Sequence, residues 1–221
     1  MAVISGIAPN IFRISTFAPS ANLQFNHFLV KDDEPLLYHT GLRGFHSEIH
    51  EAVSKLINVS ELRHIGYSHF ESDECGSLNE WLTAAPRADV ICSEVGAFVN
   101  VNDFIGRESR ALPDGGTFAT GKYRFRYCQT PHLPHGWDAG LLFEETQKTL
   151  FCSDLFHHVG DVEPLTTADV VGRSHQSLKE YQAGILAAYV PYTSFTAQNL
   201  KKARRPEAQN ARHHAWLQLH G

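Results

Sequence analysis

Apolar and polar positions alternate with period two across residues 22–30, where Leu23, Phe25 and Leu29 share one side with His27, and this spacing predicts a strand. The run Lys-Asp-Asp-Glu-Pro at 31–35 is a turn signal, and a second apolar run at 36–39 completes an expected opening hairpin. Over 46–57 the apolar residues Ile49, Val53, Leu56 and Ile57 recur at helical spacing, with Glu48 and Glu51 near the end that favours acidic side chains. A strand at 63–68, a helix at 77–83, a strand at 89–93 and a helical segment from Val95 then alternate in the βαβα manner. After the turn signal Asp114-Gly115-Gly116, short strands are predicted at 117–119, 124–128, 140–143 and 149–152, and a helix at 174–189 with Leu178, Tyr181, Ile185 and Leu186. This order is mixed α/β. By itself the pattern allows several layer arrangements.

Composition narrows the picture. A chain of 221 residues, 43% hydrophobic and 19% charged, suits one globular domain, expected over 1–200. The net charge of -5 supplies no basic field, so neither a nucleic-acid partner nor a membrane anchor is expected. No apolar run approaches the length of a bilayer span and the first ten residues lack a charged, then apolar, leader pattern, which predicts a cytoplasmic protein. Cys75, Cys92, Cys128 and Cys152 are far apart with no C-x-x-C pair and read as reduced and buried. Residues 201–221 show neither helical nor strand period and read as an atypical tail.

The densest chemistry lies at 67–76, Y-S-H-F-E-S-D-E-C-G, with one histidine and three carboxylates inside six residues. His69, Glu71 and Asp73 fall on a predicted strand-to-helix loop, where alternate residues of an extended segment point the same way. Imidazole and carboxylates converging there make a metal site. The alternative is a solvated acidic turn with Asp73 or Ser77 capping a helix. Two later clusters, T-P-H-L-P-H-G-W-D at 130–138 and L-F-C-S-D-L-F at 150–156, also follow or end strand-like runs.

The ordered motifs H-F-E-S-D-E, P-H-G-W-D-A-G and F-C-S-D-L-F resemble those of the metallo-β-lactamase superfamily. Within it they resemble the branch of flavodiiron and oxygen-binding di-iron proteins, whose first motif runs His-x-Glu-x-Asp-His where the hydrolases have His-x-His-x-Asp-His. Glu71 is the discriminating residue. The resemblance spans roughly residues 22–197 and implies a single αββα sandwich. It also implies that His69, Glu71 and His135 bind one metal, Asp73 the other, and Asp154 both. Glu74 stands where the family has histidine, and the late Ser-His-Gly or Met-His-Gly motif that supplies the last ligand is absent. The second metal is therefore in question. Glu74 either coordinates through oxygen, raises the pKa of a neighbouring carboxylate, or acts as the catalytic base over a bound water. Alignment on G-W-D-A-G favours His135 over His132 as the ligand, and His157 and His158 lie outside the family pattern. Trp137, Phe70 and Phe156 are expected to wall the pocket.

An oxygen-rich donor set favours two iron ions, with zinc as the second choice. The resemblance implies a protein that binds or reduces dioxygen, taking electrons from a partner protein since no flavin site is expected in this chain, and related proteins pair as dimers. The alternative is hydrolysis of an ester, thioester or phosphodiester by a metal-activated water, the commonest activity of the superfamily. Against that, Glu71 adds negative charge where hydrolases have a neutral ring. The tail carries one further expectation. The codons available to residues 211–221 permit a shifted reading, L-A-T-M-H-G-S-S-F-T, that contains the missing Met-His-Gly, so a frameshift beginning near Lys202 is predicted.

Overall fold

A computed structural model describes residues 1–204. Its larger sheet has seven strands in sequence order: β1 (Val3–Ala8), β2 (Ile11–Ala18), β3 (Leu23–Val30), β4 (Leu36–Tyr38), β5 (His64–Gly66), β6 (Asp89–Ser93) and β7 (Arg110–Leu112). The pairs from β1 to β4 are antiparallel and those from β4 to β7 parallel. The smaller sheet is an antiparallel meander of β8 (Thr117–Ala119), β9 (Arg124–Gln129), β10 (Gly140–Glu144) and β11 (Thr149–Phe151).

Period-two alternation sorts the side chains into layers. Phe28, Val30, Leu36, Tyr38 and Ile91 face the second sheet and meet Phe125, Tyr127, Leu142 and Phe151. Their neighbours Leu29, Leu37, Val90 and Cys92 point the other way, against Ile49 and Val53 of α1 (His46–Ser54). The short α2 (Ser72–Cys75) leads into α3 (Leu78–Ala84), which adds Leu78 and Trp81 to that layer. Three further short turns of helix follow β6: α4 (Glu94–Gly96), a wide turn at Ala97–Val101, and α5 (Asn102–Ile105). On the outer face of the second sheet, Cys128, Leu141, Phe143 and Leu150 pack with Ala203. After α6 (Val170–Gln182), Ala203 arrives on α7 (Thr196–Arg204). The layers are helix, sheet, sheet, helix, the expected αββα sandwich.

Several expectations are corrected. Two strands precede the expected opening hairpin, because β2 buries Arg13, Ser15 and Thr16 and so breaks the alternation that marks a strand. Arg13 is satisfied only from a distance, its guanidinium donating to the carbonyls of Val162 and Glu163. Strand β7 is also additional. The helix expected at 174–189 starts earlier, where Asp169 accepts from the Gly172 amide as its cap, and stops at Gln182. Gly184 then breaks the chain into turns that leave Ile185 in solvent. Helix α7 runs across the expected tail boundary, so the first four tail residues are helical. The remainder of that tail, with the frameshift expectation, lies outside the described residues. All four cysteines are buried and free. Among the described residues no helix is long and apolar enough to cross a membrane.

Candidate metal centre

The site forms where the ends of both sheets meet. The chain leaves β5 into Tyr67, Ser68 and His69, and the Gly140 amide at the start of β10 donates to the Ser68 carbonyl at 2.9 Å, fastening the two sheets there. Asp138, in the motif around His135, is buried and accepts from the Phe70 amide at 2.9 Å. That bond lays the His135 loop over the first motif. On the other side Thr40, following β4, donates its amide to the Glu74 carbonyl at 2.7 Å, and its own carbonyl accepts from Ser77 Oγ at 2.7 Å and from Trp81 Nε1. Ser77 spends its hydroxyl on Thr40, so it does not cap α3, and Asp73 lies inside α2.

Glu71 Oε2 accepts from His69 Nε2 at 2.9 Å and from His135 Nε2 at 2.7 Å, and Asp154 Oδ2 lies 3.7 and 3.8 Å from the same two nitrogens. Donor atoms of His69, Glu71, His135 and Asp154 all fall within 4.8 Å of one another, as do those of Glu71, Asp73 and Glu74. Every predicted site residue therefore enters one of two groups that share Glu71. His132 enters neither. Its backbone is left-handed, at φ +60°, and its amide bonds the Gly136 carbonyl across the loop.

Electrostatics divides the carboxylates. Hydrogen bonds from His135 and His69 hold Glu71 far below the usual carboxylate range. Burial raises Asp73, with Asp154 and Glu71 adding to the shift. Burial likewise pushes Glu74 well up, and the charges of Asp154 and Asp73 add to it. Glu74 thus favours its protonated form, hydrogen-bonded to Asp73. Burial acts against the charge on His69, but Glu71 and Asp154 outweigh it and its pKa rises.

A cavity of about 300 Å³ opens onto Glu71, Asp73, Glu74 and Asp154. Its apolar wall is Leu23, Phe25, Phe28, Leu42, Leu186 and Tyr189, not the expected Trp137, Phe70 and Phe156. Trp137 is 57% exposed, and Phe70 turns toward Tyr67 and Phe104. His157 lines this cavity, whereas His158 Nε2 is bonded to the Val170 carbonyl. Tyr189 is the lining residue that periodicity conceals. Its ring lies 4.6 Å from that of His135 and its phenol engages Asp154, because the turns after Gly184 bring it back over the site.

An αββα sandwich with imidazoles and carboxylates gathered at the shared edge of its sheets is a metallo-β-lactamase fold of the flavodiiron kind. The chain belongs to the ODP family of β-lactamases, whose model matches residues 23–208. It is 29% identical over 143 residues to "Putative diflavin flavoprotein A 1" of Thermosynechococcus vestitus, a match covering 63% of this chain and 25% of that protein. The rubredoxin oxygen:oxidoreductase of Desulfovibrio gigas superposes with a TM-score of 0.76 at 17% identity, over 94% of this chain and 53% of that one. The flavodiiron protein of Giardia intestinalis gives 0.73 at 15% identity, over 92% and 59%. These two likenesses establish the fold. The chain spans a quarter of the curated relative and little more than half of the two solved chains.

Proposed function

We propose that this chain is the metal-binding core of a flavodiiron-type protein that binds or reduces dioxygen. In this reading His69, Glu71, His135 and Asp154 hold one iron, and Asp73, with Asp154, holds a second. The supporting observation is that four carboxylates border one cavity with no lysine or arginine in its wall among the described residues, and that two of them, Glu71 and Asp154, share a donor cluster with the imidazoles of His69 and His135. Buried carboxylates that raise one another's pKa require either protons or a cation between them. Glu74 Oε2 and His135 Nδ1 are also buried without a hydrogen-bond partner among the described residues. An oxygen-rich donor set suits iron better than zinc.

Iron bound in such a pair supplies one-electron donors beside a pocket that admits a diatomic molecule. The chain's own residues do the rest. Leu23, Phe25 and Phe28 exclude bulk water, Tyr189 and Glu71 border the site, and Glu74 holds a proton beneath Asp73. Electrons come from a partner protein in this reading, and pairing of two chains is compatible with it. Hydrolysis is the weaker alternative, because a carboxylate-lined cavity repels anionic esters and the charge of Glu71 reduces the Lewis acidity of a bound metal.

The test is elemental analysis of the full chain purified without added metal, with absorption spectra before and after admitting air. About two irons per chain and an oxygen-sensitive band are expected. Zinc with esterase activity would reverse the reading.

A further inference from the structure

Behind the His69 imidazole lies a buried polar cluster, two of whose members, His39 and Ser153, also border the cavity. Ser68 Oγ sits 3.0 Å from His69 Nδ1, 3.1 Å from His39 Nε2 and 2.7 Å from Ser153 Oγ. His39, Ser68, His69 and Ser153 are all buried, at 6%, 2%, 2% and 4% exposure. Two of Ser68's partners are presented by left-handed backbone, His39 at φ +65° and Ser153 at φ +51°. Such a conformation is costly for a residue with a Cβ and persists where the surroundings demand it. Here it aims His39 and Ser153 at one hydroxyl.

From this geometry we infer that Ser68 is the positioning residue that orients His69 for metal, an inference that rests on the metal-centre reading above. A serine hydroxyl has one proton to give and two lone pairs. One arrangement satisfies all three neighbours. His69 Nδ1–H and Ser153 O–H donate to Ser68 Oγ, and Ser68 O–H donates to His39 Nε2. His39 then carries its proton on Nδ1, 3.8 Å from Glu74 Oε1, and the Asn26 backbone also hydrogen-bonds its ring. Burial disfavours a charged His39, which agrees with a neutral ring accepting at Nε2. With Nδ1–H of His69 committed to Ser68, Nε2 is the nitrogen turned toward Glu71, His135 and Asp154, and the proton it gives to Glu71 here is the one a metal would displace. Ser153 Oγ, at 3.4 Å from His69 Nδ1, is the longer and poorer acceptor. One hydroxyl therefore sets the orientation of two histidines, one in the site and one beside Glu74.

The test compares the full chain with Ser68→Ala and with Ser68→Cys, which keeps the volume but offers a weak acceptor. Anaerobic competition against a chelator measures ferrous iron affinity, and proton NMR of the zinc-loaded chain follows the His69 Nδ1 proton. Melting temperatures of the metal-free proteins report on folding separately. Both variants are expected to lose about ten- to a hundredfold in affinity at unchanged metal-free melting temperature. The Nδ1 proton should shift and exchange faster with water. Affinities within threefold of the unmutated chain in the folded variants, or an unmoved Nδ1 proton, overturn the inference while leaving the metal centre standing. Failure of the unmutated chain to bind either metal overturns both.

Discussion

His27 makes folding sensitive to mild acid. It lies on β3 with no exposure, its ring so close to Gly41 that a Cβ there would stand 2.7 Å from Cε1. Burial lowers its pKa from 6.5 to about 4, against a smaller opposing hydrogen bond to the His39 backbone. The unfolded chain thus takes up a proton on this ring below about pH 6.5, whereas the folded chain does so only near pH 4. Its contribution is complete above the unfolded value and is lost as pH falls, at about 1.4 kcal/mol per pH unit, or ~3 kcal/mol over the whole interval. Burial lowers His39 and His64 in the same direction, whereas the raised His69, Asp73 and Glu74 act in the opposite one, so the comparison with a variant and not the total slope reports on His27. Urea unfolding of the chelator-treated full chain at a series of pH values from 7.5 to 4.5, beside His27→Gln, isolates the one ring. The variant's stability should fall less steeply by about 1.4 kcal/mol per pH unit between pH 6 and 4.5. Parallel profiles for the two proteins would refute the reasoning, whatever the difference in their absolute stabilities.

Asp154→Ala and His135→Ala should each lower bound metal more than His132→Ala, since only the first two contribute donors to the cluster; elemental analysis of the three decides, and equal loss at His132 would show the wrong histidine was chosen. Glu71→His should shift metal preference toward zinc and raise esterase activity, because it removes one negative charge and restores a nitrogen-rich donor set; no change in either would place Glu71 outside the coordination sphere. Trp81→Ala should cost about 3–5 kcal/mol in denaturant unfolding, since the indole is fully buried and its Nε1 is bonded to the Thr40 carbonyl; a cost under about 1 kcal/mol would mean the layer over the sheet collapses around the vacancy.

How much of this was legible in the chain depends on the range of the forces involved. Alternation at β3, β6 and β9 and helical spacing at α1 are local signals, and the structure contains an element at each. Three short motifs, with Glu71 where hydrolases have histidine, are local as well and indicate the sandwich and its branch. Strand β2 was not legible, because its buried Arg13 is satisfied by carbonyls some 150 residues away. Nor was the role of Tyr189, which periodicity assigns to a helix and the turns after Gly184 carry over Asp154 instead. Ser68 is an unremarkable residue in the sequence. Its three partners come from the end of β4, from the next residue and from the turn after β11, and only the packing of two sheets brings them to one oxygen. The sequence determined which side chains offer imidazole and carboxylate donors, since residue type sets donor atoms and charge. Which nitrogen faces the centre, which carboxylate is kept protonated and which aromatic residues wall the cavity were decided by tertiary structure, because burial and long-range hydrogen bonds exist only once the layers have closed.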